Sequence, residues 1–124
     1  IVREIFMSVG HVLTLKEKDM DAVTAVSGSG PAFIALFVEG MIEAGVKLGL
    51  TENSAAELAI QTIIGTAEML KTGMTPQKLR EMVTSPGGTT AAGLRSFEEN
   101  GLKKIINEAL ITAKKRAEEL GRRQ

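Results

Sequence analysis

Apolar residues in this chain recur with the spacing of helices, and strict alternation, the mark of a half-buried strand, is missing. One apolar face in the segment 51–72 consists of Ala55, Leu58, Ala59, Thr62, Ile63, Thr66, Met69 and Leu70. The segment 102–120 repeats the pattern with Leu102, Ile105, Ile106, Ala109, Leu110, Ala113, Ala117 and Leu120, opposite a face of Lys and Glu that includes Glu108. This is the i, i+3, i+4, i+7 spacing of amphipathic helices. We therefore predict an all-α, multi-helix domain.

Between these elements, stop and start signals divide the chain. Thr51 and Thr75-Pro76 are helix-start residues, whereas Gly49, Gly73 and Asn100-Gly101 end helices. The predicted helices span 19–26, 31–48, 51–72, 76–83, 89–97 and 102–120.

The segment 31–48 is apolar nearly all round, so it must be covered on every side. A chain of 124 residues can hardly do this alone, which predicts that a second copy covers this helix in a dimer. The longest uninterrupted apolar run, 31–38, ends at Glu39 and is far shorter than the ~20 residues needed to cross a bilayer. We expect no membrane span.

The amino-acid composition argues against nucleic-acid binding, a metal site and a catalytic triad. Lys+Arg and Asp+Glu are balanced at 15 each, and Trp and Tyr are absent, which disfavours nucleic-acid binding. The absence of Cys fits a reducing cytoplasm, where we place the protein. With His11 as the single histidine, expected on the surface, neither a metal site nor a catalytic triad is supported.

The sequence Ser85-Pro86-Gly87-Gly88 runs directly into Thr89 and Thr90 at the start of a predicted helix. Paired glycines let backbone N–H groups approach a ligand, and the positive end of the helix dipole favours an anion such as a carboxylate. The plainer alternative is a connecting turn followed by a threonine cap.

A second glycine-serine segment, Ser27-Gly28-Ser29-Gly30-Pro31, is interpreted as a loop that feeds the next helix. It is not a dinucleotide fingerprint, because Phe33 replaces the third glycine and no strand precedes it. A plain helix cap is again the alternative. Glu39 and Glu43 share a helix face and are expected to pair with Lys or Arg across a helix interface.

Read together, the two glycine segments and the sequence between them resemble the pyrroline-5-carboxylate reductase family. The matching stretches are Asp21-Ala22-Val23-Thr24, Ser27-Gly28-Ser29-Gly30-Pro31-Ala32-Phe33, Gly45-Val46-Lys47-Leu48-Gly49-Leu50 and Met82-Val83-Thr84-Ser85-Pro86-Gly87-Gly88-Thr89-Thr90-Ala91-Ala92-Gly93-Leu94. The resemblance extends from about Phe6 to Leu120.

The resemblance implies an oxidoreductase of proline biosynthesis that reduces 1-pyrroline-5-carboxylate to L-proline with NADPH or NADH. It also implies a homodimer whose helical domains interlace, or an oligomer of dimers. A Rossmann domain upstream would bind most of the coenzyme. Residues 1–10 would be the end of that domain or a linker helix, and residues 11–124 the helical dimerisation and substrate-binding domain. Because the chain begins at Ile1 and lacks the coenzyme half, we expect a piece of a longer enzyme that is inactive alone.

Site residues follow from the same resemblance. Those expected to bind the substrate carboxylate or to shape its loop are Val83, Ser85, Gly88, Thr89 and Thr90. Thr24 is the candidate hydroxyl near the imine nitrogen or the nicotinamide, and Ser27 and Gly28 are placed near the nicotinamide. Two alternatives stay open, namely a purely structural dimerisation module and the helical domain of another two-domain NAD(P)-dependent dehydrogenase.

Overall fold

The computed structural model describes residues 17–122, and this part of the chain consists of helices and turns without a strand. In chain order the elements are a 3₁₀ turn (Glu17–Asp19), α1 (Met20–Val23), a π-helical turn (Thr24–Gly28), α2 (Gly30–Lys47), α3 (Glu52–Lys71), α4 (Pro76–Met82), α5 (Thr89–Glu99) and α6 (Leu102–Arg122). The prediction of an all-α domain is confirmed. His11 and the predicted linker helix 1–10 lie outside the described residues.

The predicted end of α2 and the predicted start of α3 are confirmed, and each has a physical cause. Gly49 has a φ of 105°, and the N–H groups of Gly49 and Leu50 donate to the carbonyls of Val46 and Gly45. This is a Schellman motif, which requires a left-handed residue directly after the helix. The side chain of Thr51 then accepts a hydrogen bond from the Ser54 N–H (3.1 Å) and caps the start of α3.

The glycine-serine segment 27–31 is not a loop, and that prediction was wrong. Thr24–Gly28 forms a π-helical turn, and the Ser29 N–H donates to the carbonyl of Thr24 at 2.9 Å. Ser29 itself keeps helical dihedral angles (φ −88°, ψ −21°) before α2 begins at Gly30. Pro31 offers no N–H to the turn before it, and a five-residue-spaced hydrogen bond is one way for a helix to absorb such an irregularity.

The contacts divide the chain into two compact units. The first consists of Ile1–Ala35 together with Leu102–Gln124, of which residues 17–35 and 102–122 are described. In it, α6 packs against α1 and the π-helical turn, and Ala25 is buried. A small side chain at position 25 allows the turn to approach α6 closely, because protein interiors are packed without voids.

The second unit is Leu36–Gly101, and in it Gly45 near the end of α2 lies close to Ala55 near the start of α3. A Cβ atom placed on Gly45 would lie 2.8 Å from the Cβ of Ala55, so no side chain fits there without movement. Ala55 and Ala59 are buried, as the predicted apolar face of α3 requires, whereas Leu58 on the same face is 58% exposed.

Large apolar side chains remain exposed in both units of the single chain. Among residues 17–122 the buried hydrophobic side chains are alanines, whereas Leu36 is 67% exposed and Leu48 is 84% exposed. Monomeric proteins rarely leave extended apolar surface in water. These surfaces therefore require a covering partner that residues 17–122 do not supply.

Because segment 27–31 does not interrupt the helical path, Met20–Lys47 forms a stretch of 28 residues that is long and apolar enough to cross a membrane. The prediction of no membrane span was based on the eight-residue run 31–38, which is much shorter than the helical stretch that forms. Length and composition alone are weak evidence, since a core or interface helix of a soluble protein meets the same criteria.

Candidate functional site

The sequence Ser85-Pro86-Gly87-Gly88 forms a tight turn immediately before α5. The Gly88 N–H donates to the Ser85 carbonyl (3.0 Å), and Gly87 has a φ of 74°. Proline at the second position and a left-handed glycine at the third are the signature of a type II β-turn. The turn therefore has a defined geometry that follows from its residue types.

Gly88 is needed for a different reason from Gly87. Its φ of −88° is open to any residue, but a Cβ atom there would lie 2.7 Å from the Ser85 Oγ and 3.2 Å from the Ser85 carbonyl oxygen. The absence of a side chain at Gly88 thus leaves the space in which the hydroxyl of Ser85 lies.

The start of α5 lacks the side-chain cap that the two preceding helices have. Thr51 caps α3, and Thr75 caps α4 by accepting from the Lys78 N–H at 3.1 Å, whereas the N-cap of α5 is Gly88 and offers no side-chain acceptor. Among residues 17–122, no hydrogen-bond acceptor is found for the N–H groups of Thr89, Thr90 and Ala91. Such a helix start is suited to an anion.

The surroundings of this helix start leave it accessible in the single chain. Ser85 and Thr89 are exposed, and Gly88 and Thr90 are partly buried. Val83, the residue after α4, is 58% exposed. The five residues predicted to bind the substrate, Val83, Ser85, Gly88, Thr89 and Thr90, therefore lie in one turn and the first helical residues after it, within the second unit.

The other predicted site residues, Thr24, Ser27 and Gly28, lie on the π-helical turn of the first unit. The Thr24 hydroxyl donates to the Met20 carbonyl at 2.9 Å, so its oxygen can still accept a hydrogen bond. Thr24 lines an open cleft of about 620 Å³. The other residues that line the cleft are Ser29, Phe33, Glu108, Ala109, Thr112, Ala113, Arg116, Ala117 and Leu120.

The polar wall of this cleft was not predicted from the sequence. Glu108 was assigned to the solvated face of the last helix, yet it lines the cleft together with Thr112 and Arg116. The only sign of this wall in the sequence is Thr112, the one uncharged polar residue in the second half of a helix rich in Lys and Glu. One such residue is too weak a signal to predict a cleft. Residue type alone does not say which flank of an amphipathic face meets a neighbour.

Ion pairs in the described part of the chain lie on α6. Lys114 and Glu118 approach to 3.3 Å, and Arg116 and Glu119 to 3.0 Å. Both pairs are exposed and contribute little to stability. Glu39 and Glu43 are exposed as well, and within residues 17–122 the cross-helix ion pair expected for them is not formed.

Comparison with known proteins gives a consistent result. Residues 17–120 match the family described as pyrroline-5-carboxylate reductase dimerisation. Pyrroline-5-carboxylate reductases of Synechocystis sp. and Methanosarcina acetivorans are 47% and 48% identical over 98% and 97% of this chain, which covers 46% and 45% of their lengths. The chain thus spans about half the length of the curated relatives it matches.

Solved structures give the same picture. The crystal structure of Plasmodium falciparum pyrroline carboxylate reductase with NADP bound matches 97% of this chain with a TM-score of 0.87 and 45% identity. This chain covers 49% of that structure. The 1-pyrroline-5-carboxylate reductase of Streptococcus pyogenes matches with a TM-score of 0.85 and 39% identity, over 94% of this chain and 45% of the other.

Proposed function

This chain belongs to the pyrroline-5-carboxylate reductase dimerisation family, and we propose that it is the C-terminal part of an enzyme that reduces 1-pyrroline-5-carboxylate to L-proline. One observation carries the proposal. The start of α5 presents the N–H groups of Thr89, Thr90 and Ala91, for which residues 17–122 supply no acceptor. The substrate of such a reductase bears a carboxylate, and these N–H groups form a binding site for it.

The turn before α5 would orient the substrate in the reaction. Its carboxylate accepts hydrogen bonds from backbone N–H groups at the head of α5 and from the hydroxyls of Thr89 and Thr90, while Ser85 and Val83 shape the loop. A reduced nicotinamide coenzyme, when bound, supplies a hydride to the imine carbon. Holding the substrate in reacting geometry is then the main contribution of this chain, and no strong base is required.

Thr24 is proposed to lie near the imine nitrogen or the nicotinamide. Its hydroxyl proton is directed to the Met20 carbonyl, so the oxygen is left as an acceptor for an N–H group of a ligand. A protonated imine has such a group, as has the carboxamide of a nicotinamide.

Binding of NADPH or NADH would fall mainly to the other half of the parent enzyme. Within residues 17–122 there is no strand, and therefore no strand–turn–helix unit of the kind that binds dinucleotides. Ser27 and Gly28 would approach the nicotinamide from this half. Residues 1–10 would be the end of the coenzyme domain or a linker helix, and residues 11–124 the helical dimerisation and substrate-binding domain. We expect the chain to be inactive without the coenzyme domain.

We further propose that the chain is a cytoplasmic homodimer, or part of a larger oligomer of dimers, and that it does not enter a membrane. The exposed apolar side chains of α2 support a dimer, because a large hydrophobic interface is typical of obligate homodimers. Asp21, Glu39, Glu43 and Lys47 in the stretch Met20–Lys47 are better suited to such an interface than to a lipid environment.

The test of the proposed activity is steady-state kinetics of the full-length enzyme carrying Thr90→Ala or Gly88→Ala. Both variants should raise the KM for the pyrroline substrate, since the first removes a hydroxyl and the second displaces Ser85. Gly93→Ala is the matched control, because a Cβ atom at Gly93 of the same helix meets no atom of residues 17–122 within 4 Å, apart from the helix's own backbone. Unchanged kinetics in both site variants would remove this turn from the active site.

A purely structural role as an assembly module is the second candidate, and the exposed apolar surfaces favour it for the chain on its own. Titration with L-proline separates the two roles. Binding to the chain that Gly88→Ala abolishes and Gly93→Ala preserves supports a preformed carboxylate seat. Dimerisation without any binding supports the structural role.

A further inference from the structure

Thr84 links the end of α4 to the turn that precedes α5. Its hydroxyl donates to the Arg80 carbonyl (2.5 Å), and its backbone N–H donates to the Glu81 carbonyl (3.3 Å). A third donor, the Val83 N–H, reaches the Leu79 carbonyl at 3.3 Å. Thr84 thus supplies two of the three donors that satisfy the last carbonyls of α4, which would otherwise lack partners.

Thr84 is less exposed than the residues on either side of it. Thr84 is partly buried, whereas Val83 before it and Ser85, Pro86 and Gly87 after it are exposed. The turn itself is closed by one backbone bond, from the Gly88 N–H to the Ser85 carbonyl. That bond fixes the shape of the turn, while its orientation on α4 depends on the residue that joins the two.

The geometry points to Thr84 as a positioning residue that aims the turn and the head of α5 at the substrate carboxylate. This inference rests on the proposed function of the turn. Thr84 acts through Ser85 and Gly88, which follow it in the chain, and it need not contact the substrate. Without its hydroxyl, the Arg80 carbonyl loses its partner and the chain leaving α4 loses one of its two attachments through Thr84.

The test compares Thr84→Val, which replaces the hydroxyl by a methyl group, with Thr84→Ser, which keeps it, in the full-length enzyme. Thr66→Val is the matched control, because the Thr66 hydroxyl makes the same kind of bond to the Thr62 carbonyl (2.7 Å) inside α3. A hydrogen bond of about 1 kcal/mol corresponds to a roughly fivefold change in binding. We therefore expect Thr84→Val to raise the KM for the pyrroline substrate about fivefold.

The kcat and the KM for the coenzyme should stay unchanged in Thr84→Val, and Thr84→Ser should restore the substrate KM. Thr66→Val should leave the substrate KM unchanged, because the Thr66 hydroxyl bonds within α3. If Thr84→Val fails to fold, the comparison of Thr84→Ser with Thr84→Ala replaces it.

Equal kinetics for Thr84→Val and Thr66→Val, or a parallel loss in substrate KM, coenzyme KM and kcat, would overturn the positioning role. A substrate KM that Thr84→Ser does not restore would overturn it too. A wild-type enzyme that does not reduce the imine would instead defeat the proposed function, and this inference with it.

Discussion

At the residue scale, the two glycines of the turn before α5 are required for unlike reasons. Gly87 has a φ of 74°, which costs a residue with a Cβ atom roughly 1–2 kcal/mol. Gly88 has an ordinary φ and instead leaves room for the Ser85 hydroxyl. Substitutions at the two positions should therefore give different results.

Gly87→Ala should lower the thermal midpoint, because it strains the backbone of the turn whether or not a ligand is bound. Gly93→Ala should leave the midpoint unchanged or raise it, since alanine is the better helix former by about 1 kcal/mol and meets no neighbour. Differential scanning fluorimetry measures the thermal midpoints of the two variants and of the wild-type protein. Equal shifts in the same direction would contradict the assigned conformation of Gly87.

Residue types alone predicted the threonine caps and the left-handed glycines, because each answers a local backbone requirement. Thr51, Thr75, Gly49 and Gly73 all serve as expected. The role of Thr84 was not predicted, because a hydroxyl that bonds to the carbonyl four residues earlier leaves no distinct pattern in the sequence.

At the scale of elements, helix existence and order followed from periodicity, and helix ends were right to within about two residues. The last two helices run to Glu99 and Arg122, beyond the predicted ends at 97 and 120. The failure lay in segment 27–31, where glycine, serine and proline suggested a loop but a π-helical turn forms. Composition marks an irregularity there without specifying which kind.

The contact between α2 and α3 gives a test of packing. Gly45→Ala should destabilise the second unit, because its methyl group would lie 2.8 Å from the Cβ of Ala55. Ala55→Gly should also destabilise it, since it removes a buried methyl group and lowers helix propensity.

In the double variant the two changes should compensate in part. We expect a coupling free energy on the order of 1 kcal/mol from a cycle of denaturation measurements. Additive effects of the two substitutions would show that the two helices do not meet at these atoms.

For the whole molecule, the sequence predicted that one chain leaves apolar surface exposed, but it did not predict how a second copy buries that surface. The all-round apolar helix indicated that a second copy is needed, and α2 of the single chain indeed exposes Ile34, Leu36 and Phe37. A sequence cannot say how two copies fit, because the interface joins residues far apart in the chain.

Leu36→Asp should weaken dimerisation at least tenfold. Leu36 is 67% exposed in the single chain and is proposed to be buried by the second copy, so the substitution would place a charge in the interface. Sedimentation velocity across a micromolar concentration series measures the change. Lys104→Asp on the solvated face of α6 is the control and should leave association intact. A wild-type protein that is monomeric throughout this range would refute the proposed dimer.

We propose above all that backbone N–H groups at the head of α5 bind the carboxylate of the substrate or of L-proline. Amide ¹H–¹⁵N spectra of the full-length enzyme during titration with L-proline test it directly. We expect the amide signals of Thr89, Thr90 and Ala91 to shift together in a saturable manner, and Gly88→Ala to weaken this response. Saturation of the enzyme with L-proline while these three signals stay unchanged would show that the carboxylate binds elsewhere.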